Sequence, residues 1–312
     1  MRYVVLIFAT CLIGGICSAA EPRTVPSGDA VIRGKVGSSE IVITTTSRLA
    51  GAIHSLTWND KEFIDSHDHG RQLQSACSFD AGSKEPFWAE RYNPTEAGSR
   101  NDGAGRTSSS KLSSLRADGN ELRTTSQMAF WLAPGQESSG RPALNDQVLS
   151  DHILTKQVRI GFKQLANVIE YEVTFNVPKG ERHRYAQFEA LTGYMPPEFR
   201  SFLTFRPLTG KLEPLSDGPG EQQFPVVFAT ETGSHAMGIY SPDQPSRGYE
   251  QAGYGRFRFE REKVVKWNCV FRIRDVESIS TGDHRFKMFV AVGTQEDVRQ
   301  ALASLASEFA NR

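Results

Sequence analysis

Two short stretches of the sequence concentrate side chains that could do chemistry. The stretch HDHGRQLQSA, residues 67–76, carries two histidines, an aspartate, an arginine and two glutamines. The stretch ERYNPTEAG, residues 90–98, adds two carboxylates, a tyrosine and an asparagine. Each of these side chains, taken alone, is explained at least as well by a polar surface loop. Their concentration in two neighbouring stretches favours a site.

The chemistry of the first stretch suits a sugar. Gln72 and Gln74 lie two residues apart, so on a strand their amides share one face and both donate and accept hydrogen bonds, as sugar hydroxyls do. Arg71 adds a planar fork of donors that can bind a carboxylate or other ligand oxygens in two contacts. Neither face of this strand is properly apolar, which predicts that it does not simply cover a core. The predicted substrate-binding residues are Arg71, Gln72, Gln74, Trp88, Asn93, Asn268 and Arg272.

The same stretches contain side chains that could transfer protons. The predicted catalytic residues are His67, His69, Glu90, Tyr92 and Glu96. In a β-elimination, Arg71, Gln72 and Asn93 would neutralise a uronate carboxylate, and Tyr92 with a histidine would serve as base and acid. In a hydrolysis, Glu90 and Glu96 would straddle the bond, at about 5–5.5 Å for retention or about 6.5–9.5 Å for inversion.

No cofactor and no metal are predicted. His67 and His69 form a His-x-His pair that could seat a divalent ion, but the sequence shows no third ligand beside it. Cys77 and Cys269 follow no Cys-x-x-Cys pattern and could form a disulfide or be two small buried residues. The sequence contains no glycine loop for phosphate, no Gly-x-Ser-x-Gly elbow and no His-Glu-x-x-His helix.

Most of the chain has the patterns of β-strands. Residues 169–177 alternate apolar and polar side chains, which is typical of a half-buried antiparallel strand. Hairpins are predicted at residues 53–64, with Asn59-Asp60 as the turn, at 224–240 and at 256–273. The absence of alternating strand and helix patterns disfavours a parallel α/β fold. The fold class is therefore predicted to be mainly β, a large antiparallel sandwich.

One helix is predicted at the end of the chain. Thr294 and Asp297 have the spacing of a capping box. An apolar face at helical spacing follows, formed by Val298, Ala301, Leu302, Leu305 and Phe309. The stretches 98–122 and 134–145 are rich in polar and glycine residues and are predicted to be long loops.

The beginning of the chain predicts export. Residues 1–20 combine Arg2, an apolar run and a small-residue Ser-Ala-Ala end, the pattern of a secretory signal peptide. Residues 21–312 are then predicted to form a single domain, secreted or periplasmic. Loss of Arg2 leaves 35 basic against 36 acidic residues, a net charge of −1. This balance argues against a nucleic-acid partner. No later run is long enough for a membrane span, so no membrane partner is expected after signal removal.

The segment GAIHSLTWNDKEFIDSHDHGRQLQ, residues 51–74, resembles the opening of the galactose-mutarotase-like β-sandwich group. The runs FEREKVVKWNCVFRI and AVGTQEDVRQAL are similar to the closing strands and trailing helix of such a fold. The resemblance implies a supersandwich of two large antiparallel sheets, with a face that binds carbohydrate. It also implies activities as different as mutarotation, polysaccharide lysis, glycoside hydrolysis and plain binding.

The sequence therefore predicts a carbohydrate partner, an oligo- or polysaccharide. The favoured hypothesis is a polysaccharide-cleaving enzyme, either a lyase or a glycoside hydrolase. One alternative is a carbohydrate-binding protein without catalysis, in which Trp88 or Tyr92 would stack on sugar rings, whereas Trp267 is expected to pack in the core. The other is an extracytoplasmic mutarotase or epimerase with a histidine acid and a glutamate base. The spacing of the family's histidine and glutamate is not matched here.

Overall fold

The computed structural model describes residues 26–310. The predicted signal peptide, residues 1–20, lies outside this range. The described chain is mainly β, with one α-helix at its end, as the sequence predicts. No helix within residues 26–310 has the length and apolar character needed to cross a membrane.

The strands divide the described chain as follows. In the first half they are β1 (Ala30–Val36), β2 (Ser39–Thr45), β3 (Ile53–Trp58), β4 (Lys61–Glu62), β5 (Leu73–Phe79), β6 (Pro94–Thr95), β7 (Lys111–Asp118), β8 (Glu121–Phe130), β9 (Glu137–Ser138), β10 (Arg141–Pro142) and β11 (Leu149–Phe162). In the second half they are β12 (Leu165–Val177), β13 (Tyr185–Met195), β14 (Ser201–Arg206), β15 (Lys211–Pro214), β16 (Gly220–Gln222), β17 (Val226–Ala229), β18 (Ala236–Tyr240), β19 (Tyr254–Phe259), β20 (Val264–Arg274) and β21 (Gly282–Gly293). The helix α1 is Gln295–Glu308.

Antiparallel pairing arranges most of these strands in two long ladders. The first ladder has the order β7-β8-β11-β12-β21-β18-β17-β14-β15. The second has the order β1-β2-β3-β5-β13-β20-β19-β16. The short strand β6 pairs with β5 and with β8 and so connects the two. The result is a large antiparallel β-sandwich.

The main hydrophobic core lies between the two ladders. Strand β12 of the first ladder contributes its alternate residues, as its sequence pattern predicts: Ile169, Tyr171, Val173, Phe175 and Val177. The second ladder contributes Leu73, Phe188 and Trp267, among others. Trp267 is 1% exposed, so its predicted role in core packing is confirmed.

The predicted hairpins are confirmed. Strands β3 and β4 pair across Asn59 and Asp60, whose φ angles of 49° and 63° are those that Asn and Asp tolerate best among residues with side chains. Strand β17 pairs with β18, and β19 pairs with β20.

The two predicted long loops contain strands, so those predictions were wrong. Strand β7 lies within residues 98–122 and pairs with β8 at the edge of the first ladder. Its side chains are mostly exposed, and Leu112 is its one buried residue, which explains the missing apolar pattern. Within residues 134–145, β9 and β10 form a two-residue ladder across Ser139 and Gly140. Cys77 and Cys269 are both buried and free.

Helix α1 packs on the outer face of the first ladder. Val298, Ala301, Leu302 and Leu305 are buried there against residues such as Phe289, confirming the predicted apolar face. The predicted capping box is also present. The Thr294 hydroxyl accepts from the Asp297 backbone N–H at 3.1 Å, and the Asp297 carboxylate accepts from the Thr294 backbone N–H at 2.9 Å.

Replacing Thr294 by alanine should lower the free energy of unfolding by about 1 kcal/mol, because the substitution leaves a backbone N–H of the first turn without its acceptor. Urea unfolding followed by circular dichroism measures this loss. Thr294→Ser keeps the acceptor oxygen and should change stability far less. An equal loss in both variants would contradict a capping role for the hydroxyl.

Candidate functional site

A cavity of about 400 Å³ lies on the outer face of the second ladder, the face that points away from the core. Strands β5, β13 and β20 form its floor, and the loops before and after them form its walls. The lining residues are Asp68, Gly70, Arg71, Gln74, Ala76, Ala89, Glu90, Asn93, Thr95, Trp131, Glu189, Thr192, Tyr194, Phe259, Glu262, Val264 and Lys266. This volume lies in the usual range for small-molecule sites.

Strand β5 places its alternate residues on opposite sides of the second ladder. Gln74 and Ala76 line the cavity, whereas Leu73 and Cys77 lie in the core. The polar Ser75 also points inward, where its hydroxyl donates to the Ala190 carbonyl at 2.8 Å. One face of β5 therefore lines the cavity, in agreement with the prediction that this strand does not simply cover a core. The other face does pack in the core, which the prediction did not foresee.

A β-bulge in β13 gives the cavity its second polar row. Glu189 is opposite Val270 and Leu191 is opposite Cys269, so Ala190 is an extra residue in the ladder. Ala190 and Leu191 are both fully buried in the core. Because of this irregularity Glu189 and Thr192, three residues apart, both line the cavity, which a regular strand would not allow.

An ion pair between β13 and β20 dominates the electrostatics of the cavity. The Lys266 ammonium donates to the Glu189 carboxylate at 3.0 Å, and the Thr192 hydroxyl donates to the same oxygen at 3.0 Å. Burial opposes the ionised form of Glu189, but the Lys266 charge and the hydrogen bonds from Lys266 and Thr192 together outweigh it and lower the pKa of that carboxyl. Burial likewise opposes the charge on Lys266, yet Glu189 raises its pKa. Both groups are therefore charged at neutral pH.

Acidification should weaken this pair. The pKa of Glu189 in the folded protein lies below its ordinary value of 4.5, so its contribution to stability is complete above pH 4.5 and is lost as the pH falls through the lowered pKa. Glu189→Gln should therefore flatten the fall of stability below pH 4.5. Urea midpoints of both proteins between pH 6 and pH 3 measure this difference, and parallel curves would contradict it.

A second ion pair holds the wall formed by residues 65–71. The Arg71 guanidinium donates to Asp68 Oδ2 through Nε at 3.0 Å and through Nη2 at 2.9 Å. Its Nη1 also donates to the Glu262 carbonyl at 3.4 Å, which ties this wall to the β19–β20 turn. Arg71 therefore faces the cavity with its charge already paired.

Aromatic side chains supply the apolar part of the lining: Trp131, Tyr194 and Phe259. The Trp131 ring approaches Gly70 so closely that a Cβ there would lie 2.8 Å from the ring, which explains the glycine at this position. The Trp131 backbone N–H donates to the Asn93 carbonyl at 2.8 Å, joining two wall segments. Lys266 Nζ lies 5.3 Å from the centre of the Tyr194 ring. Burial raises the pKa of the Tyr194 hydroxyl, so it is protonated at neutral pH.

Four of the residues predicted from sequence line this cavity: Arg71, Gln74, Glu90 and Asn93. The Asn93 amide is anchored, because Nδ2 donates to the Cys77 carbonyl at 2.7 Å. Gln74 Nε2 donates to the Gly70 carbonyl at 3.0 Å, while its buried Oε1 has no partner among the described residues. The Glu90 side chain makes no hydrogen bond or ion pair within residues 26–310, so it remains available to a ligand.

The two predicted histidines lie outside the cavity lining. His67 is exposed. His69 is 1% exposed, and its ring nitrogens lie 2.7 Å from the Gly103 carbonyl oxygen and 2.9 Å from that of Arg48. Both nitrogens of His69 are therefore occupied by the backbone, and the His-x-His pair does not converge on a common point.

Glu96 and Tyr92 also point away from the cavity. Glu96 is 1% exposed and forms a buried ion pair with Lys156. Its other oxygen accepts from the Ser75 backbone N–H at 3.0 Å. The Tyr92 hydroxyl donates to Glu181 at 3.0 Å, and burial, reinforced by the Glu181 charge, raises its pKa. Tyr92 is thus a poor base at neutral pH.

The remaining predicted binding residues do not line the cavity either. Gln72 is fully buried and donates to the Asp68 carbonyl. Asn268, on β20, packs against Gly255. A Cβ at residue 255 would lie 2.2 Å from Asn268 Oδ1. Arg272 pairs with Glu221 at 2.6 Å. The Arg141 guanidinium lies over the Trp88 ring, with Cζ 4.5 Å from the ring centre.

Sequence reasoning missed four residues that shape the cavity most: Trp131, Glu189, Tyr194 and Lys266. Lys266 stands on the polar face of β20 that the alternation of residues 265–273 already indicated. Glu189 and Tyr194 had no such signal, because the bulge at Ala190 breaks the alternation of β13. Trp131 follows β8 and reaches the cavity only through tertiary structure.

No family model matches the sequence, and no curated protein matches it. Solved structures are similar to the chain in fold. A galactose mutarotase-like protein from Lactobacillus casei has 9% identity, with 84% of this chain and 100% of that chain covered and a TM-score of 0.43. The Slr1438 protein from Synechocystis has 8% identity, coverages of 88% and 100% and a TM-score of 0.45. A heparan sulfate lyase from Pedobacter heparinus has 7% identity, coverages of 86% and 35% and a TM-score of 0.42.

Proposed function

We propose that this protein is a glycoside hydrolase that binds a neutral oligo- or polysaccharide in the cavity on β5, β13 and β20. The observation that carries the proposal is the combination of two differently placed carboxylates with aromatic walls in one cavity. Glu189 is held ionised by Lys266 and Thr192, whereas Glu90 is unpaired. Glycoside hydrolysis requires one carboxylate that stays ionised and one carboxyl group that donates a proton.

The roles of the two carboxylates follow from their surroundings. Glu189 acts as the ionised group, which either attacks the sugar or activates a water molecule. Glu90, on the 3-10 turn Ala89–Tyr92, protonates the departing oxygen. Trp131 offers an apolar surface to a sugar ring, and the Gln74 and Asn93 amides lie where they can bind hydroxyls.

The charge of the lining argues against a uronate substrate. Four acidic side chains face two basic ones, and both basic groups are already paired: Asp68, Glu90, Glu189 and Glu262 against Arg71 and Lys266. A polyuronate brought into this cavity would meet a net negative lining without a free cation. β-Elimination needs the substrate carboxylate neutralised, so this balance favours hydrolysis of a neutral sugar.

The mutarotase hypothesis finds no support in the cavity. That mechanism needs a histidine acid, and none of the described residues that line the cavity is a histidine. Carbohydrate binding without cleavage is the second candidate. It is favoured by one observation, namely that the Glu189 carboxylate is already engaged by the Lys266 ammonium and the Thr192 hydroxyl, as a carboxylate with a structural role would be.

Product analysis by mass spectrometry tests the proposal. The mature protein is incubated with a panel of neutral and uronate polysaccharides. We expect fragments whose new ends have gained water, from a neutral substrate. Fragments that lack water, from a uronate substrate, would establish elimination and overturn the proposal. Binding of a neutral oligosaccharide by calorimetry without any fragments would support the second candidate instead.

Trp131→Ala should weaken binding of the saccharide by at least about 5-fold, because an aromatic contact contributes about 1 kcal/mol beyond area burial alone. Calorimetric titration, or KM once a substrate is known, measures the change. Trp88→Ala removes a tryptophan outside the cavity and serves as the matched control. If Trp88→Ala weakens binding and Trp131→Ala does not, the saccharide binds elsewhere.

We also propose that the chain is exported to the periplasm or the medium. The support is the pattern of residues 1–20. Expression of the full chain in a bacterial host, fractionation and N-terminal sequencing test this proposal. The exported form should begin at Glu21, and accumulation of an uncleaved chain in the cytoplasm would contradict export.

A further inference from the structure

Three side chains that could bind a metal ion converge away from the cavity. His152 comes from β11, and Glu181 and His183 come from the turn between β12 and β13. One ligand atom from each of the three lies within 4.8 Å of the others. Glu181 Oε2 is 2.7 Å from His183 Nε2 and 3.4 Å from His152 Nε2. Tetrahedral zinc with bonds of about 2.0–2.1 Å holds its ligand atoms roughly 3.3 Å apart, which these spacings approach.

The histidines are buried without the hydrogen bonds that burial normally requires. His152 is 1% exposed, and neither of its ring nitrogens makes a hydrogen bond to the described residues, although Nε2 lies 3.4 Å from Glu181 Oε2. His183 is 3% exposed, and its Nδ1 is also without a hydrogen bond, with Asp80 Oδ1 3.8 Å away. Buried polar groups in this condition are uncommon and destabilise the folded state. A ligand that accepts nitrogen lone pairs would remove part of this cost.

Neighbouring aromatic side chains fix the orientation of the three residues. The Phe79 ring stacks on the His183 ring, with 4.5 Å between ring centres, and packs against the His152 ring, with 5.0 Å between ring centres. The Tyr92 hydroxyl donates to Glu181 Oε1, the oxygen that does not face the histidines. Such a hydrogen bond orients a ligand carboxylate in many metal sites.

We propose that His152, Glu181 and His183 bind a zinc ion. Two imidazole nitrogens and one carboxylate oxygen suit zinc, whereas calcium and magnesium prefer oxygen ligands alone. The fourth position would hold water, because Glu181, with 22% of its side chain exposed, is the one of the three residues that solvent reaches most.

The ion would join three separate parts of the chain. It would link β11 to the β12–β13 turn and, through the hydrogen bond of Tyr92, to the 3-10 turn that carries Glu90. Zinc would therefore stabilise the fold and the cavity wall without touching a saccharide. The zinc site does not depend on the proposed hydrolase activity.

Metal analysis and cobalt substitution test the site. The untagged mature protein is stripped with a chelator, titrated with Zn²⁺ by calorimetry and analysed for bound metal. We expect a single zinc per chain, a raised Tm in its presence, and visible absorption bands on replacement with Co²⁺. The same titration with Ca²⁺ and Mg²⁺ should show no binding.

Variants identify the ligands. We expect zinc affinity to fall by more than roughly 100-fold in each of three variants, His152→Gln, Glu181→Gln and His183→Gln. Even the loss of a residue that only hydrogen-bonds to a metal ligand lowers metal affinity about 10–100-fold. His67→Gln, which removes an exposed histidine, should bind zinc as the wild type does. Circular dichroism and Tm of the metal-free proteins show whether each variant folds. Absence of stoichiometric zinc in the wild type, or undiminished binding by folded variants of all three residues, would overturn the proposal.

Discussion

Lys156→Met is expected to destabilise the protein by about 3–5 kcal/mol, because it leaves a buried carboxylate without its partner. Lys156 is fully buried and Glu96 is 1% exposed, and the two form an ion pair inside the sandwich. Glu96 also accepts from the Ser75 backbone N–H, so it cannot turn toward solvent without breaking the connection to β5. An unpaired charge at this depth must be protonated or hydrated at the expense of packing.

Urea unfolding measures this loss of stability, and two further variants serve as controls. Lys61→Met removes the lysine of a pair with Glu198 in which both side chains are about a third exposed or more, so it should cost less than about 1 kcal/mol. Lys156→Met combined with Glu96→Gln removes both charges and should recover part of the stability. A cost for Lys156→Met no larger than for Lys61→Met would show that the pair is not buried.

Glu189→Gln is expected to lower kcat on a neutral saccharide by about 10²–10⁴-fold while Kd changes little. The amide keeps the shape of the carboxylate but can neither attack a sugar nor accept a proton from water. Rates with a chromogenic glycoside, once the substrate panel has given a sugar, measure the effect. Glu90→Gln should also lower kcat, and least for substrates with a good leaving group, since those need little help from an acid.

The control for both variants is Glu260→Gln, which alters a glutamate of the β19–β20 turn that is outside the cavity lining. It should have wild-type rates. Tm values are needed beside the rates, because Glu189→Gln leaves the Lys266 ammonium without its partner. Full activity in a folded Glu189→Gln protein would show that Glu189 is not catalytic. Carbohydrate binding without cleavage by this carboxylate would then be favoured.

Local sequence signals predicted those parts of the fold that are determined by interactions within a few residues. The Asn59-Asp60 turn and the Thr294 capping box are determined by backbone preferences and hydrogen bonds within a few residues. The alternation of β12 was visible because one face of that strand is buried and the other is not. Strand β7 had no such signal, because it lies at an edge with most of its side chains exposed.

The site was predictable only in part. Arg71, Gln74, Glu90 and Asn93 line the cavity as their polarity suggested, but an equally polar Glu96 turns inward. Nothing local distinguishes Glu90 from Glu96. The difference lies in Lys156, sixty residues further along the chain, which comes to lie beside Glu96 through the pairing of β11 with β8. The prediction for His69 failed for a similar reason, since its ring nitrogens are bound by the carbonyls of Gly103 and Arg48, which are distant in sequence.

The extra residue Ala190 separates the length of β13 from the direction of its cavity side chains. Deleting it would restore regular alternation, in which Leu191 still faces the core and Glu189, Thr192 and Tyr194 still face the cavity. A regular pairing that kept Ala190 would instead turn Thr192 and Tyr194 toward the core. In comparisons between relatives, a gap of one residue between Glu189 and Thr192 is therefore compatible with a shared site.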